Sequence, residues 1–324
     1  MEKLTKKQPI NTLKEGDFVR DLFVVKIKKS IMPYAKGHSF ALILADSSGS
    51  SIEYKYWGGQ NLEKVKEKYD SIKSDSVIFV NGRVVSYQGK LQLSADELGQ
   101  IQVLTHDEYE ADFIISAKKD VELMNLELIS KINSLSNSEL KNLLLDIFQN
   151  DFKDIFKKHP GAISIHHNWV GGLLQHTLEV LEYCETSLRL YPELDRDLLI
   201  SGAILHDIGK LQELEITSRI KGSRRGQLIG HLTLGTIYLQ EKLKNTKLDE
   251  LFKDKLMHMI VSHHGKMEFG SPKIPMLPEA LALYIADEMS SKVSEIIEQV
   301  KENRQATEDD FMYDFKKGTN LFLR

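Results

Sequence analysis

The sequence predicts a multidomain protein of mixed α and β structure, in which a small β-barrel at the amino-terminal end is followed by an all-α helical bundle. The chain has 324 residues, more than one hydrophobic core usually supports, so two domains are expected. Apolar residues recur with a period of two up to about Leu104 and with a helical period after it. The content of 41% hydrophobic and 28% charged residues is ordinary for a globular protein.

Residues 1–105 are predicted to form the β domain. One helical segment, residues 62–72, lies between the third and fourth strong strands. The strands are separated by turn sequences, among them Lys36-Gly37, Gly58-Gly59 and Gln88-Gly89. Five or so short strands with a helix after the third is the order expected of an OB-fold, a small barrel that often binds single-stranded nucleic acid. An SH3-like barrel is the alternative.

Aromatic and basic residues of this domain are candidates for nucleic-acid contact. Tyr54 and Tyr56 share one strand face with Ile52, whereas Lys55 and Trp57 share the other. Aromatic side chains on one of these faces would stack on bases, although we expect Tyr54 to lie in the core. Nearby cations that would follow a phosphate backbone are Lys26, Lys28, Lys29, Lys36 and Arg83.

After Leu104 the pattern is helical to the end of the chain. We expect a helical connector over residues 106–157 and a second domain over residues 158–324. In the connector, Ser136 and Glu139 have the spacing of a capping box and are predicted to begin a helix. The expected helices of the second domain are residues 169–190, 194–206, 231–243, 248–262 and 278–300.

Charge and cysteine content limit the cellular setting. The formal net charge of -4 gives no overall attraction to nucleic acid, so a basic surface must be local. Cys184 is the only cysteine, which excludes an internal disulfide and favours a reducing compartment. We expect a cytoplasmic protein without a membrane partner, because the amino-terminal residues have no apolar signal segment and no run is long enough to cross a bilayer. A homo-oligomer is left open.

Imidazole and carboxylate side chains in the second half of the chain have the chemistry of a metal site. Each lies beside an apolar run of helical sequence: His176, His206, Asp207, His231, His263 and Asp287. These groups suit zinc, iron, manganese or cobalt, whereas the near absence of cysteine argues against a structural zinc or an iron–sulfur cluster. A single helical histidine is more often a packed core or surface residue, but the combination favours a catalytic metal centre.

The ligand types are compatible with a pair of metal ions, which can clamp a phosphoryl group and activate a water when roughly 3.5–4 Å apart. Asp207 has two oxygens and is predicted to bridge both ions. The other residues divide into two sets: His176, His206 and Asp287 for one ion, His231 and His263 for the other. Lys210 shares a helix face with Asp207 and would hold a phosphate oxygen or protonate the leaving oxygen. A solvated lysine at a helix end is an equally good interpretation of Lys210.

The motifs around these residues resemble those of HD-domain metal-dependent phosphohydrolases. Leu205-His206-Asp207-Ile208-Gly209-Lys210 contains the His-Asp doublet, and Gly230-His231, Ser262-His263-His264-Gly265 and Asp287 follow it in order. The flanking residues 160–162, 166–168, 171–177 and 268–272 are similar to those of the YhaM-type 3′-to-5′ exoribonucleases. That family has an OB-like domain ahead of its HD domain, so the resemblance covers most of the chain.

The resemblance implies a dinuclear centre, commonly supported by manganese, that removes nucleotides from the 3′ end of single-stranded RNA and in some cases DNA. Cobalt, iron, zinc, nickel and magnesium are further candidate metals. By motif position the six residues named above would be ligands, and Asp207, Lys210 and His264 would take part in catalysis, with His264 as a substrate contact or an extra ligand. Family members often have an acidic residue one turn after the last aspartate, where this sequence has Ser290.

Basic residues ahead of His231 are predicted to attract the phosphates of a substrate. They are Arg219, Lys221, Arg224 and Arg225, although for any one of them a solvated loop position is an equally good interpretation. His166 and His167 precede the first ligand helix and are candidates for contacting a phosphate or orienting a ligand.

Three functions are consistent with these features. The first is a metal-dependent 3′-to-5′ exoribonuclease, a phosphodiester hydrolase whose barrel holds the strand. The second is an HD phosphohydrolase of small or cyclic nucleotides with the barrel as a sensor. The third is a non-catalytic nucleic-acid-binding scaffold. The complete ligand set disfavours the scaffold, and the barrel favours a polymeric substrate only moderately, because fold does not dictate substrate.

Overall fold

The computed structural model describes residues 3–95, 101–105, 107–110, 113, 117, 119–163, 167–306, 308–315 and 317–324. The chain divides into two compact units. The first unit comprises Met1–Ile115 and Ile216–Arg219, and the second comprises Ser116–Glu215 and Ile220–Arg324. Strands dominate the first unit and helices the second, so the prediction of a β-rich region followed by a helical domain is confirmed.

Alternation of apolar and polar residues builds the strands of the first unit. In chain order its elements are β1 (Leu4–Thr5), β2 (Phe18–Lys28), β3 (Met32–Tyr34), β4 (Gly37–Ala45), β5 (Ser51–Trp57), α1 (Leu62–Ser71), β6 (Val77–Tyr87), β7 (Lys90–Ala95), β8 (Ile101–Leu104) and β9 (Tyr109–Glu110). Helix α1 begins where predicted, because Asn61 caps it by accepting a hydrogen bond from the backbone N–H of Lys64.

One seven-stranded sheet contains most of these strands. Its order is β2-β4-β5-β7-β6-β8, with β3 paired to β4, and β2 also pairs with β6. The strands β2, β4, β5, β7 and β6 are therefore joined by pairings into a ring. The β5–β7 pairing is parallel, whereas the β2–β4, β4–β5, β6–β7 and β2–β6 pairings are antiparallel. These pairings establish the strand order, and a closed barrel of the OB type stays a prediction from the sequence.

Side chains that face inward from these strands form the core of the first unit. The register pairs Leu42 with Tyr54 and Leu44 with Ile52, and all four side chains are buried. The Tyr54 hydroxyl donates a hydrogen bond to the carbonyl of Asn81 at 3.4 Å. Tyr54 is therefore a core residue, as the sequence analysis expected.

A buried ionic cluster joins the amino-terminal segment to the sheet. The Lys6 ammonium lies 3.0 Å from Asp21 Oδ2 and 3.3 Å from Asp46 Oδ2, and both carboxylates are buried. The backbone N–H of Lys7 donates to both oxygens of Asp21, and the N–H of Ser48 donates to Asp46 Oδ1. Each carboxylate oxygen of this cluster thus has a donor, as a buried charge requires.

The second unit is mainly helical. Its helices are α2 (Val121–Asn133), α3 (Ser138–Asp146), α4 (Ile155–Lys158), α5 (Gly172–Leu190), α6 (Arg196–Leu205), α7 (Lys210–Glu213), α8 (Arg224–Ile229), α9 (His231–Leu243), α10 (Glu250–Ser262) and α11 (Pro278–Ala306). No described helix combines the length and the apolar composition that a membrane span requires.

Short strands interrupt the helical region, so the expectation of uninterrupted helical structure after Leu104 was wrong. They are β9 (Tyr109–Glu110), β10 (Leu214–Ile216), β11 (Ile220–Gly222), β12 (Phe311–Asp314) and β13 (Thr319–Phe322), and the last two form a hairpin. These strands have only two to four residues each, too few for a period of two to stand out in the sequence.

The predicted capping box at Ser136 was also wrong. Asn137 begins α3, and its side chain accepts from the backbone N–H of Leu140. Glu139 instead accepts from the backbone N–H of Lys247, far along the chain. With Asn137 as the cap, Glu139 is the second helical residue rather than the third, and the backbone N–H of Asn137 donates to Asp197 instead.

Packing among α5, α6, α10 and α11 holds the elements that surround the candidate site. Leu173, Leu181, Ile204, Met259 and Leu283 are among the side chains of their shared core, and each is almost completely buried. The apolar faces predicted for these helices therefore pack against one another, and the polar residues between them are drawn into the interior.

Candidate metal centre

Histidine and aspartate side chains from five helices meet inside the second unit. His176 lies in α5 and Asp287 in α11, His231 is the first residue of α9, His206 and Asp207 directly follow α6, and His263 and His264 directly follow α10. His176, His206, Asp207 and His263 are at most 3% exposed. Polar groups this deeply buried require partners or ligands.

Two of the histidines are oriented by the helix that they follow. The Nδ1–H of His206 donates to the carbonyl of Ala203, and the Nδ1–H of His263 donates to the carbonyl of Ile260, each at 2.8 Å. The last carbonyls of a helix have no intrahelical partner, so the two rings satisfy groups that would otherwise be orphaned. This bond fixes each ring and leaves its Nε2 free to face the other helices.

The other three imidazoles also have an acceptor at Nδ1. His264 Nδ1 lies 2.9 Å from the carbonyl of Phe269, His231 Nδ1 lies 3.0 Å from a Glu213 oxygen, and His176 Nδ1 lies 3.0 Å from Ser290 Oγ. Carbonyl and carboxylate oxygens only accept, so the Nδ1 atoms of His264 and His231 carry hydrogen, and a neutral ring then presents a lone pair at Nε2.

The first group of ligand atoms contains His176, His206 and Asp207, all within 4.8 Å of one another. The two Nε2 atoms of His176 and His206 are 3.1 Å apart, and they lie 3.5 Å and 3.3 Å from Asp207 Oδ2. Asp287 Oδ1 is 3.1 Å from His176 Nε2 and so joins this group.

The second group contains His231, His263 and His264, again with ligand atoms within 4.8 Å. The Nε2 atoms of His231 and His264 are 3.2 Å apart, and Asp207 Oδ1 lies 3.6 Å from the Nε2 of both His231 and His263. Asp207 therefore faces one group with Oδ2 and the other with Oδ1. The structure places His264 with His231 and His263 as a third imidazole of this group.

The donor set fits a divalent cation. Asp207 Oδ1 and His263 Nε2 are buried without a hydrogen-bond partner among the described residues. An unsatisfied buried polar atom costs roughly 1–3 kcal/mol, and a bound cation would remove that cost. Imidazole nitrogens and carboxylate oxygens are the ligands that zinc, manganese, iron and cobalt accept.

Burial and neighbouring charges set the protonation of the first group. Burial lowers the pKa of His176 to about 4. Burial also opposes the charged form of His206, but the Asp207 carboxylate outweighs it and the pKa of His206 is raised. In the metal-free site these opposite shifts favour a proton on His206 over one on His176. A cation at this position would displace that proton.

Lys210 forms an ion pair with the central carboxylate. Its Nζ is 2.7 Å from Asp207 Oδ2, and its side chain is 17% exposed, so it is not a solvated lysine. Burial disfavours both charges, but the attraction between them outweighs it, so the pKa of Lys210 is raised and that of Asp207 is lowered. His159 supports this lysine by donating from Nε2 to its carbonyl at 2.8 Å, and burial lowers the pKa of His159 to about 4.

Ser290 and Glu179 connect His176 to a second layer of hydrogen bonds. The Ser290 hydroxyl donates to Glu179 Oε2 at 2.9 Å, which leaves its oxygen free to accept from His176 Nδ1. His167 Nε2 lies 3.0 Å from the same Glu179 oxygen. Burial raises the pKa of Glu179, but these bonds and the one from Gln175 outweigh it and lower the pKa to about 2. Ser290 thus takes part in orienting His176.

Two glycines let the chain pass close to the site. A Cβ at Gly209 would lie 2.0 Å from the carbonyl oxygen of His231, so only glycine allows the segment after Asp207 to touch the start of α9. Gly230 has a φ of 78° at the residue before His231, a conformation that other residues rarely adopt.

Sequence reasoning missed three positioning residues: Glu179, Glu213 and His159. A signal exists for the first, because Glu179 follows His176 by three residues and shares its helix face. Glu213 likewise follows Lys210 by three. His159 lies in a loop, and no local pattern connects it to Lys210, 51 residues later.

The residues predicted to contact substrate have different environments. Arg219 belongs to the first unit and pairs with Asp75, and Lys221 lies 3.8 Å from Glu215. Arg224 and Arg225 are exposed at the start of α8. His167 is buried and its Nε2 lies 3.0 Å from Glu179 Oε2, and its role in orienting a ligand stays a prediction. His166 lies outside the described residues.

A cleft of about 390 Å³ lies beside Lys210 and Glu213. The other residues that line it are Gly161, Ala162, Ile163, Leu214, Gly222, Gly226 and Gln227. Clefts of roughly 300–1,000 Å³ hold small organic ligands, so this one has the volume of a nucleotide-sized pocket.

Comparison with protein families identifies the site region. Residues 173–292 match the family model of the HD domain, and this segment contains all six predicted ligands. The match supports an HD-domain, metal-dependent phosphohydrolase, in agreement with the His and Asp groups described above.

Comparison with solved structures is much less informative. A HINb domain is 18% identical over 30% of this chain, with a TM-score of 0.23, and the chain spans 46% of its length. The OB domain of a protein from Thermoplasma acidophilum is 16% identical over 30% of this chain and 85% of its own, with a TM-score of 0.23. An asparaginyl-tRNA synthetase from Pyrococcus horikoshii is 14% identical over 83% of this chain and 64% of its own, also at 0.23.

Proposed function

We propose that the protein is a metal-dependent 3′-to-5′ exoribonuclease that hydrolyses the terminal phosphodiester of single-stranded RNA. The observation that supports it best is the position of Asp207, whose two oxygens face two separate groups of imidazoles. With Asp207, the residues His176, His206 and Asp287 would hold one ion of a pair.

His231, His263 and His264 would hold the second ion. Two divalent cations supply Lewis-acid polarisation of a phosphoryl oxygen and an activated water. Manganese is the metal we expect first, by resemblance to the family named above, and the ligand chemistry accepts cobalt, iron, zinc, nickel and magnesium as well.

Lys210 and the adjacent cleft would bind the substrate. Because the pKa of Lys210 is raised, its ammonium stays charged and would hold a phosphate oxygen by electrostatic attraction rather than donate a proton. The cleft beside it has room for the terminal nucleotide. Exposed Arg224 and Arg225 would attract the following phosphates, with an affinity that falls as salt rises.

A second candidate function is the hydrolysis of a small or cyclic nucleotide. The cleft favours it, because a volume of about 390 Å³ suits a mononucleotide as well as the end of a strand. We prefer RNA because of the motif resemblance and the β-rich first unit. In a scaffold protein the buried, unpartnered atoms of Asp207 and His263 would only reduce stability.

The test uses two RNA oligonucleotides of identical sequence, one with a free 3′ end and one with a blocked 3′ end, together with a cyclic dinucleotide. We expect manganese-dependent shortening of the free strand alone, observed as a ladder of 5′-labelled products. Asp207→Asn should abolish it. Asp249→Asn is the matched control, because Asp249 caps α10 and asparagine caps equally well.

The outcomes separate the candidates. Equal cleavage of both strands would contradict the exonuclease assignment. Turnover of the cyclic dinucleotide without RNA cleavage would support the second function. Absence of metal-dependent hydrolysis on all three substrates would leave the scaffold.

A further inference from the structure

We propose that a row of side chains across the sheet of the first unit binds single-stranded RNA. This inference rests on the proposed function, because it names where the substrate strand is held. The row is defined by register: Ala41 pairs with Lys55, Lys55 with Ser94, and Ser94 with Arg83. At the other end, the N–H of Lys29 donates to the carbonyl of Ala41.

The order along this row is cation, small, cation, small, cation. Neighbouring strands are about 4.8 Å apart, so successive cations are anchored roughly 10 Å apart across the sheet. The small side chains of Ala41 and Ser94 leave room between the long side chains of Lys29, Lys55 and Arg83. A flexible polyanion that crosses the strands would meet a positive charge at each second strand.

An aromatic pair lies next to the row. Trp57 follows Lys55 by two residues and so shares its face, and its ring is 5.0 Å from that of Tyr34 in an edge-to-face arrangement. Trp57 Nε1 donates to Ser94 Oγ at 3.1 Å, and the Tyr34 hydroxyl donates to the carbonyl of Gly58 at 2.8 Å. Both rings are partly exposed and held in place, which suits stacking on a base.

The charges of the row favour an anionic partner. Lys29 is paired with Glu53, whose other oxygen accepts from Gln92. Lys55 and Arg83 have no ion pair within 4 Å of any described residue, and Lys55 is attracted to the same Glu53 only at longer range. The Lys55 ammonium lies 5.1 Å from the Trp57 ring, so a cation and a stacking surface are adjacent.

Other predicted cations of this unit have structural duties. The Lys28 ammonium donates to the carbonyls of Tyr69 and Ile72, each at 2.7 Å, and fastens the end of α1 to β2. Its ammonium is therefore held at the end of α1, and Lys28 is not part of the row, although its sequence position had grouped it with Lys29 and Arg83. The partner chemistry that combines regularly spaced negative charge with flat rings is a single nucleic-acid strand.

The experiment measures binding without hydrolysis. A short 5′-fluorescein-labelled oligouridylate is titrated with the full chain in EDTA, and anisotropy is recorded at several salt concentrations. For the double variant Lys55→Gln and Arg83→Gln, we expect the slope of log affinity against log salt to fall by about 0.7 for each lost phosphate contact. The matched control is Lys64→Gln with Lys66→Gln on α1, which removes the same charge from exposed positions.

Tryptophan emission gives an independent measurement. The chain has two tryptophans, so Trp169→Phe leaves Trp57 as the only one. We expect oligouridylate to quench the emission of this variant, and Trp57→Ala to weaken binding by about 10-fold or more, with Trp57→Phe restoring most of it.

The proposal is overturned if the Lys55 and Arg83 double variant keeps the wild-type affinity and the wild-type slope of log affinity against log salt. It is also overturned if the oligouridylate does not quench the Trp57 emission, or if the wild-type protein does not bind the oligouridylate. If binding behaves as expected but RNA is never hydrolysed in manganese, the binding row stands and the exonuclease assignment fails. If the 3′ end is hydrolysed while the row variant binds like wild type, the exonuclease assignment stands and the binding row fails.

Discussion

Each unit of this protein buries a cluster of charged groups, and the two clusters differ in how completely they are satisfied. In the first unit, Asp21 and Asp46 surround Lys6, and all four carboxylate oxygens accept hydrogen bonds. In the second unit, Asp207 Oδ1 and His263 Nε2 are buried, and no atom in the described part of the chain forms a hydrogen bond with either.

The difference separates a structural cluster from a candidate ligand site. A satisfied buried ion pair contributes to one defined conformation and has no need of a further group. The second cluster is stabilised on its outer side, because each imidazole has an acceptor at Nδ1, yet its inner atoms face one another across about 3 Å. Such an arrangement is costly until a cation enters.

The largest expected effect is a response to metal that only one cluster shows. Saturating manganese should stabilise the second unit by about 2.7 kcal/mol per ion at 100 times the dissociation constant. Hydrogen exchange read by mass spectrometry should show new protection in α5, α6 and α10, and none in β2 or β6. Equal protection of both units would contradict the assignment of the metal site to the second cluster alone.

The satisfied cluster should respond to mutation instead. Asp21→Asn places an amide N–H₂ against the donors of Lys6 and Lys7, and we expect a loss of about 3 kcal/mol in the free energy of unfolding of the first unit. Denaturant titration measures it, with exposed Asp70→Asn as control. An Asp21→Asn protein as stable as wild type would show that the cluster does not stabilise the first unit.

The pH response should also belong to the second unit. Burial lowers the pKa of folded His159 to about 4, whereas the unfolded residue has an ordinary pKa near 6.5. Between these two pH values only the unfolded state takes up the proton. The metal-free protein should therefore lose on the order of 2–3 kcal/mol as pH falls through this window. Thermal melts in EDTA of wild type and His159→Gln, which keeps an N–H donor, provide the comparison. Identical pH slopes in the two proteins would contradict the assignment.

The smallest expected effect concerns the outer side of the metal cluster. Glu179→Gln weakens the acceptor that fixes Ser290 and, through it, His176, so the affinity for manganese should fall by about 10- to 100-fold. Calorimetric titration measures this without substrate. Glu182→Gln, on the exposed side of the same helix, is the matched control. Unchanged affinity in Glu179→Gln would mean that His176 needs no such support.

Much of the architecture was accessible from local patterns. Periods of two and of 3.6 residues placed the β-rich region ahead of the helices, and they predicted the full length of α9, since it is an uninterrupted amphipathic segment. Short strands such as β12 were missed because four residues are too few for a period to emerge. The start of α3 was misplaced by one residue because Asn137 caps it, while the backbone N–H groups of Ser136 and Asn137 donate to Asp197, 61 and 60 residues further along the chain.

By itself the sequence determined which chemistry is present: the imidazole and carboxylate ligands, their places in or beside apolar helices, and the motifs that resemble an HD domain. Tertiary structure alone decided how these groups are used. It placed Asp207 between two groups of histidines, bound Lys210 to it, and joined Ser290 to His176 and Glu179 across more than 100 residues of chain. The physical reason is that residue type and helical spacing act within one or two turns, whereas the partner of a buried polar atom is chosen by packing between distant segments.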